Sequence, residues 1–220
     1  MRIINFHGVG QPRRELEPGE APFWLGTDQF RQVLDRIAEH PERQNLRITF
    51  DDSNDSDLEV ALPELLVRDL TAQFFVLTGR LGQPGSLGEA DVAALRTHGM
   101  GVGSHGTVHS DLTALSPAQL ADELAQSRVT LEVICGAPVR SFAIPFGRYN
   151  RAVLRAIRQA GFTTAFSSDG GSASPKDFLQ PRRSVRRDME MAEIDGVLDG
   201  RMPLRQRLRR GVAMQLKRMF

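Results

Sequence analysis

Two groups of side chains in this sequence have the types and spacing for metal-assisted hydrolysis. The first is Asp51-Asp52, directly after the apolar run Ile48-Thr49-Phe50. A strand ending in adjacent carboxylates sets both acids at the carboxyl edge of a parallel sheet, where α/β proteins build their sites. Residues 51–57 hold four aspartates, and a solvated loop or a helix cap also accounts for such a run. The second group is His105 and His109, in Gly101-Val102-Gly103-Ser104-His105-Gly106-Thr107-Val108-His109. Imidazoles four residues apart share one face of a helical turn and come close enough to hold one metal. A lone histidine is more often structural, but two of the chain's five stand at this spacing, in a Gly/Ser stretch after a short strand. His7 ends another apolar run, Ile3-Ile4-Asn5-Phe6.

One carboxylate and two histidines make a facial ligand set for Zn(II) or another divalent ion, with positions left for water and substrate. Three protein ligands read as catalytic rather than structural. The second aspartate is then placed to take a proton from the attacking water, and a separate acid must protonate the departing nitrogen. His7 is the expected acid, since imidazole titrates close to neutrality. His40 precedes Pro41 in a polar connection, and His98 ends a helix before Gly99. A zinc protease needs Glu directly after the first histidine, where this chain has Gly106. A non-haem iron oxygenase also uses two histidines and a carboxylate, but it gives the Asp51-Asp52 pair no role.

These residues need a scaffold that brings distant strand ends together. Apolar runs at 2–6, 46–50, 72–77, 139–144 and 162–166 predict buried strands, and 27–39, 57–70, 116–134 and 150–160 predict helices. Ser116-Pro117-Ala118-Gln119 supplies a cap, a first-turn proline and a capping box, and Gly161 stands where a left-handed helix end belongs. Strand–helix alternation predicts a parallel sheet covered by helices, open or closed into a barrel. Residues 8–26, with three prolines, predict a long loop after the first strand, and 167–174 predict a Gly/Ser-rich loop.

Composition narrows the class. A chain of 220 residues suits one well-filled domain, and a net charge of +1 calls for no nucleic-acid partner. The single cysteine, Cys135, excludes an internal disulfide and a thiolate metal cluster, and reads as a small hydrophobe near a helix end. The apolar run at the start is too short for a signal peptide, and no segment reaches the ~20 apolar residues of a membrane span, so a cytoplasmic location is expected. From Arg201 onward every charged residue is basic, and Leu204, Leu208, Val212, Leu216 and Met219 recur at helical spacing. The expected division is a catalytic domain over 1–200 and a basic helical tail over 201–220. That tail either docks on the domain or makes weak peripheral contact with anionic lipid at the inner membrane face.

The motifs resemble those of the NodB-like polysaccharide deacetylases, family four of the carbohydrate esterases, over roughly residues 7–185. Thr49-Phe50-Asp51-Asp52 resembles the first motif, usually followed by Gly where this chain has Ser53. The match implies Asp51 as catalytic base and Asp52 as metal ligand. Ser104-His105-Gly106-Thr107-Val108-His109 resembles the second motif and implies His105 and His109 as the other ligands. Ser141-Phe142-Ala143-Ile144-Pro145-Phe146-Gly147-Arg148-Tyr149-Asn150 resembles the third. By that match the Phe146 N–H is the oxyanion donor and its ring lines the acetyl pocket, with Pro145 and Tyr149 also on the substrate side.

Two departures stand out. The third motif often carries an Arg that orients the base, where this chain has Ala143; Pro181-Arg182-Arg183-Ser184-Val185 resembles a late strand that offers Arg182 instead. The usual late His-Asp motif is missing, but Ile3-Ile4-Asn5-Phe6-His7-Gly8 resembles it moved to the front, as in the permuted subgroup of exopolysaccharide and poly-N-acetylglucosamine pathways. The resemblance implies an α/β fold of the NodB-homology type, a distorted (β/α) barrel of about seven parallel strands. It implies removal of N-acetyl groups from an amino-sugar glycan, or from a lipid- or nucleotide-linked precursor. One divalent ion is expected, Zn2+ before Co2+ or Ni2+. A deformylase, an O-acetyl esterase and an inactive carbohydrate-binding relative stay open.

Overall fold

The strands pair only in parallel, and the sheet they form nearly closes on itself. In the computed structural model, which describes residues 1–201, β1 (Arg2–Phe6) pairs with β2 (Leu46–Phe50). Next in line come β3 (Ala72–Val76), β4 (Gly101–Ser104), β5 (Ser141–Ala143), β6 (Thr164–Ser167) and β7 (Leu179–Pro181), while β8 (Arg183–Ser184) flanks β1 on its other side. Arg182 alone separates β7 from β8, so one extended segment starts along β6 and ends along β1. That segment draws the sheet edges together into a distorted α/β barrel. Eight strands thus occupy about the seven positions expected, the last two being halves of one segment.

Helices cover the outside: α1 (Thr27–Glu39), α2 (Leu62–Leu66), α3 (Glu89–Thr97), α4 (Pro117–Cys135), α5 (Arg151–Gln159) and α6 (Met191–Leu198). With both sheet faces covered, strands read as unbroken apolar runs rather than alternating ones, and four of the five β1 residues are buried. A row of rings ties α1 to the first three strands. Phe30 meets Phe6 edge-on at 5.2 Å, Phe6 stacks on Phe50 at 5.3 Å, and Phe50 on Phe74 at 4.7 Å. Each fully buried ring contributes about 1.5–3 kcal/mol. Phe50 immediately precedes Asp51, so this row also fixes the height of the acidic pair. The caps form as the sequence predicts: Ser116 and Gln119 exchange capping bonds at 3.4 and 3.0 Å, and Asn150 caps α5 at 3.0 Å.

Several elements differ from expectation. The helix predicted over 57–70 is a π-helical turn, Asp57–Ala61, followed by the short α2. Pro63 has no N–H to give to the Glu59 carbonyl, so an α-helical ladder cannot run through this point. β4 was not predicted: two of its four residues are glycines, and pairing with β3 and β5 rather than propensity makes it a strand. Gly103 is required there, since a Cβ would fall 2.6 Å from the Phe75 ring and from Ser141. The His105–His109 stretch is a loop and not a helical turn. Cys135, free and half-buried, ends α4. No helix among the described residues is long and apolar enough to cross a membrane. Residues 202–220, nearly all of the expected basic tail, lie outside the described residues.

Candidate active site

The carboxyl ends of the strands open on a cavity of about 550 Å3 whose wall includes His7, Asp51, Asp52, His105, His109 and Phe146. Asp51 follows β2, and its N–H donates to the Phe6 carbonyl at 3.1 Å. Its buried carboxylate accepts from both terminal nitrogens of Arg182, each at 2.7 Å, and from Asn5 Nδ2 at 3.0 Å. Asn5 Oδ1 in turn accepts from Arg182 at 2.8 Å and from Thr49 Oγ1 at 2.6 Å. The Arg182 guanidinium lies 5.1 Å from the Phe75 ring and 5.8 Å from Phe166, the two rings that pack with Ala143. The small side chain at position 143 is therefore matched by an arginine arriving from the closing segment. Burial alone would push the Asp51 carboxyl up; the charge of Arg182, then that of His105, outweighs it and holds Asp51 below the usual carboxylate range.

Asp52 and Ser53 both take left-handed backbone, at φ 77° and 59°, a conformation that costs a non-glycine residue about 1–2 kcal/mol. Ser53 stands where the resemblance expects Gly, and its Oγ accepts the buried Leu77 N–H at 2.7 Å, an offset that Gly could not provide. The turn sets Asp52 Oδ1 3.5 Å from His105 Nε2 and 3.7 Å from His109 Nε2. His105 Nδ1 lies 2.8 Å from the Ala143 carbonyl, which can only accept, so Nδ1 donates there and Nε2 is the atom that faces Asp52. His109 Nδ1 donates likewise to Glu17 Oε2 at 2.6 Å. One ligand atom from each of Asp52, His105 and His109 lies within 4.8 Å of the other two.

A divalent cation fits this arrangement. Asp52 Oδ1 is buried with no hydrogen-bond partner among the described residues, and the Nε2 atoms of His105 and His109 converge on the same place. Burial would raise the Asp52 carboxyl, but the His105 contact and the charges of His7, His105 and His109 drive it far down. Burial, reinforced by the His105 charge, lowers His109 and favours the neutral ring a metal needs, whereas at His105 burial is outweighed by Asp51 and Asp52, which raise it, so a metal would displace a proton there.

The histidine loop is clamped from three sides. The His105 N–H donates to the Val76 carbonyl at 2.8 Å, and Ser104 Oγ accepts the Gly106 N–H at 3.0 Å. Glu123 of α4 accepts the N–H groups of Thr107 and Val108 at 2.6 and 2.8 Å. His7 follows β1, with its ring 4.9 Å from Phe23 and its Nδ1 buried without a hydrogen-bond partner among the described residues. A Cβ on Gly8 would collide with the Trp24 ring at 2.2 Å, so only glycine lets the chain turn behind His7. Phe146, at φ 56° and half exposed, lies against His109 with ring centres 4.1 Å apart.

Seven of the nine expected site residues converge here. Pro145 and Tyr149 do not reach the cavity wall: both are buried behind Phe146, and the Tyr149 hydroxyl donates to Asp169 at 2.7 Å. His40 and His98 lie elsewhere, against Asp199 and the Ala94 carbonyl. Glu17, Glu123 and Asn5 escaped the sequence reading. Only Asn5 left a trace, as the one polar residue within the apolar residues 3–6 of β1.

Comparison with known proteins agrees with this geometry. The family model for polysaccharide deacetylase matches residues 38–165. The Bacillus subtilis protein YxkH, which carries the polysaccharide deacetylase name, is 27% identical over 197 residues, covering 84% of this chain and 70% of its own. Among solved structures, Streptococcus pyogenes deacetylase PplD superposes with a TM-score of 0.77 at 23% identity, covering 92% of this chain and 98% of PplD. IcaB from Ammonifex degensii gives 0.71 at 20%, covering 91% and 97%. At such identities these two establish the fold. The family model, spanning more than half of the sequence and both clusters of candidate ligands, settles the kinship: this chain is a member of the polysaccharide deacetylase family.

Proposed function

We propose that the chain is a divalent-metal-dependent deacetylase that hydrolyses the N-acetyl group of an amino sugar in a glycan or in a lipid- or nucleotide-linked precursor. The observation that carries the reading is the convergence of Asp52, His105 and His109 on one point, with a buried carboxylate oxygen left unsatisfied there. Two nitrogens and one oxygen suit Zn2+ first, with Co2+ or Ni2+ also accepted by such a donor set. When bound, the ion supplies Lewis acidity and makes a water acidic enough to lose a proton near neutrality.

Asp51 would take the proton of the attacking water. Arg182 and Asn5 fill three of its roughly four acceptor positions, which fixes the carboxylate and leaves capacity toward the cavity. Arg182 keeps it ionised and so able to act as a base. His7 gives a proton to the departing amine, a step that amide cleavage needs because an amide anion is a very poor leaving group. Phe146 borders the acetyl group, its left-handed backbone turning the amide toward the reacting oxygen in this reading. Glu17 and the Ala143 carbonyl hold the two imidazoles in the tautomer that leaves Nε2 free.

Metal content and acetate release, measured together, test the assignment. Alanine at Asp52, His105 or His109 lowers both, whereas Asp51→Asn keeps the metal and loses most turnover. Full metal occupancy in all three ligand variants refutes the site.

A further inference from the structure

Nearly every charged side chain in the cavity wall has a counter-ion that is not itself in the wall. Glu17 pairs with Arg80, Glu20 with Arg14 at 2.9 Å, and Asp51 with Arg182 at 2.7 Å. Arg148 pairs with Asp111 at 3.0 Å, and Arg186 with Asp188 at 3.0 Å. Asp52, His105 and His109 form the ligand cluster, and His7 is the expected acid. Arg183 remains: among the described residues it makes no ion pair and no side-chain hydrogen bond.

Its position is well defined. Arg183 sits on β8 opposite Ile4, one residue after the Arg182 that holds Asp51. Half-buried, it forms part of two cavities, the catalytic one and a neighbour of about 270 Å3, with Met189 shared in the same way. Glu193, the one carboxylate in the wall of the neighbour, accepts the Glu190 N–H at 3.2 Å in the cap of α6 and makes no ion pair with Arg183. An unpaired guanidinium beside a site that also gathers a divalent cation leaves the cleft short of negative charge. A guanidinium presents a planar fork of donors that matches a carboxylate or a phosphate.

We propose that Arg183 binds an acidic group of the substrate, a carboxylate or a phosphate carried on or next to the N-acetylated sugar. The inference rests on the deacetylase reading above and narrows its substrate class to anionic glycans. The second cavity gives the sugar bearing that charge somewhere to lie.

Acetate release from matched sugars tests it: neutral chitotetraose against a hyaluronan tetrasaccharide for the carboxylate, and methyl N-acetylglucosaminide against N-acetylglucosamine 1-phosphate for the phosphate. The acidic member of at least one pair is expected to have a kcat/KM higher by roughly tenfold or more, mainly through a lower KM, as a charge-assisted hydrogen bond allows. The preference fades at high salt. Arg183→Met brings the acidic-to-neutral ratio toward one, and Arg183→Lys keeps part of it. Equal kcat/KM within both pairs, or a preference that survives Arg183→Met, overturns the inference. Calorimetric binding of the same sugars separates this failure from failure of the chemistry. Binding of an acidic sugar that Arg183→Met weakens, with no acetate released from any sugar, sinks the reaction and keeps the anion site. Neither binding nor release sinks both.

Discussion

Replacing Arg182 with Met removes the only cation that directly pairs with Asp51 among the described residues. The two side chains are 1% and 4% exposed, so water cannot take over the role of the guanidinium. Removing one partner of a buried ion pair costs about 3–5 kcal/mol, because the remaining charge is left uncompensated. At about 2–4 °C per kcal/mol for a domain of this size, the melting temperature is expected to fall by roughly 6–20 °C at pH 7. The pH dependence has a definite sign. In the parent protein the depressed Asp51 contributes stability above the ordinary carboxylate range, and this is lost as pH falls through its folded-state pKa. In the variant only the His105 and His7 charges oppose burial, so Asp51 is less depressed and this contribution shrinks. The gap between the two proteins is therefore widest near neutrality and narrows toward pH 4. Urea denaturation at several pH values reads it directly. Adding Asp51→Asn removes the stranded charge and is expected to recover most of the stability while turnover stays lost. A single variant within 1 kcal/mol of the parent, or a double variant as unstable as the single, refutes the coupling of Arg182 to Asp51.

His7→Ala should bind metal normally and hydrolyse an N-acetyl substrate slowly, while an ester with a good leaving group suffers far less; equal losses on both rule out the acid role. Glu17→Gln, which weakens the acceptor behind His109, should lower metal affinity about 10–100-fold in a chelator competition, and an unchanged affinity removes Glu17 from the metal site. Asp57 is buried with Oδ1 unpartnered, and its burial, aided by the charges of Asp52 and Asp51, holds its carboxyl well above the usual range. Its contribution to stability is present below that range and lost as pH rises, so Asp57→Asn should stabilise the protein by about 1–3 kcal/mol at pH 8 and hardly at all at pH 4. A gain of the same size at both values contradicts this.

β1, α1 and β2 have the bounds the sequence predicts, because each buries a continuous or periodic apolar set that depends on local residues alone. β4 and β7 were hidden, since Gly101–Ser104 and Leu179–Pro181 become strands through their neighbours rather than through composition, while β8 falls within the late strand that the resemblance implied. The His105–His109 spacing pointed to a shared ion for a reason the structure replaces: Glu123 and the strand ends, rather than a helical turn, bring the rings to 5.3 Å. Arg182 lies 131 residues from Asp51, and nothing in local pattern joins them. Its candidacy came from the resemblance of the late Pro-Arg segment. Glu17 had no signal at all, because the path of a loop across the barrel mouth is decided by tertiary contacts such as those of Arg14 with Glu20 and Asn54.

The most direct measurement is a titration of metal-stripped protein with Zn2+ while acetate release from an N-acetylated amino sugar is followed. The proposed site predicts no release before metal is added, a rise that levels off at one equivalent per chain, and no recovery in Asp52→Ala at that equivalent. Full turnover by the stripped protein, or recovery of Asp52→Ala at one equivalent, would contradict it.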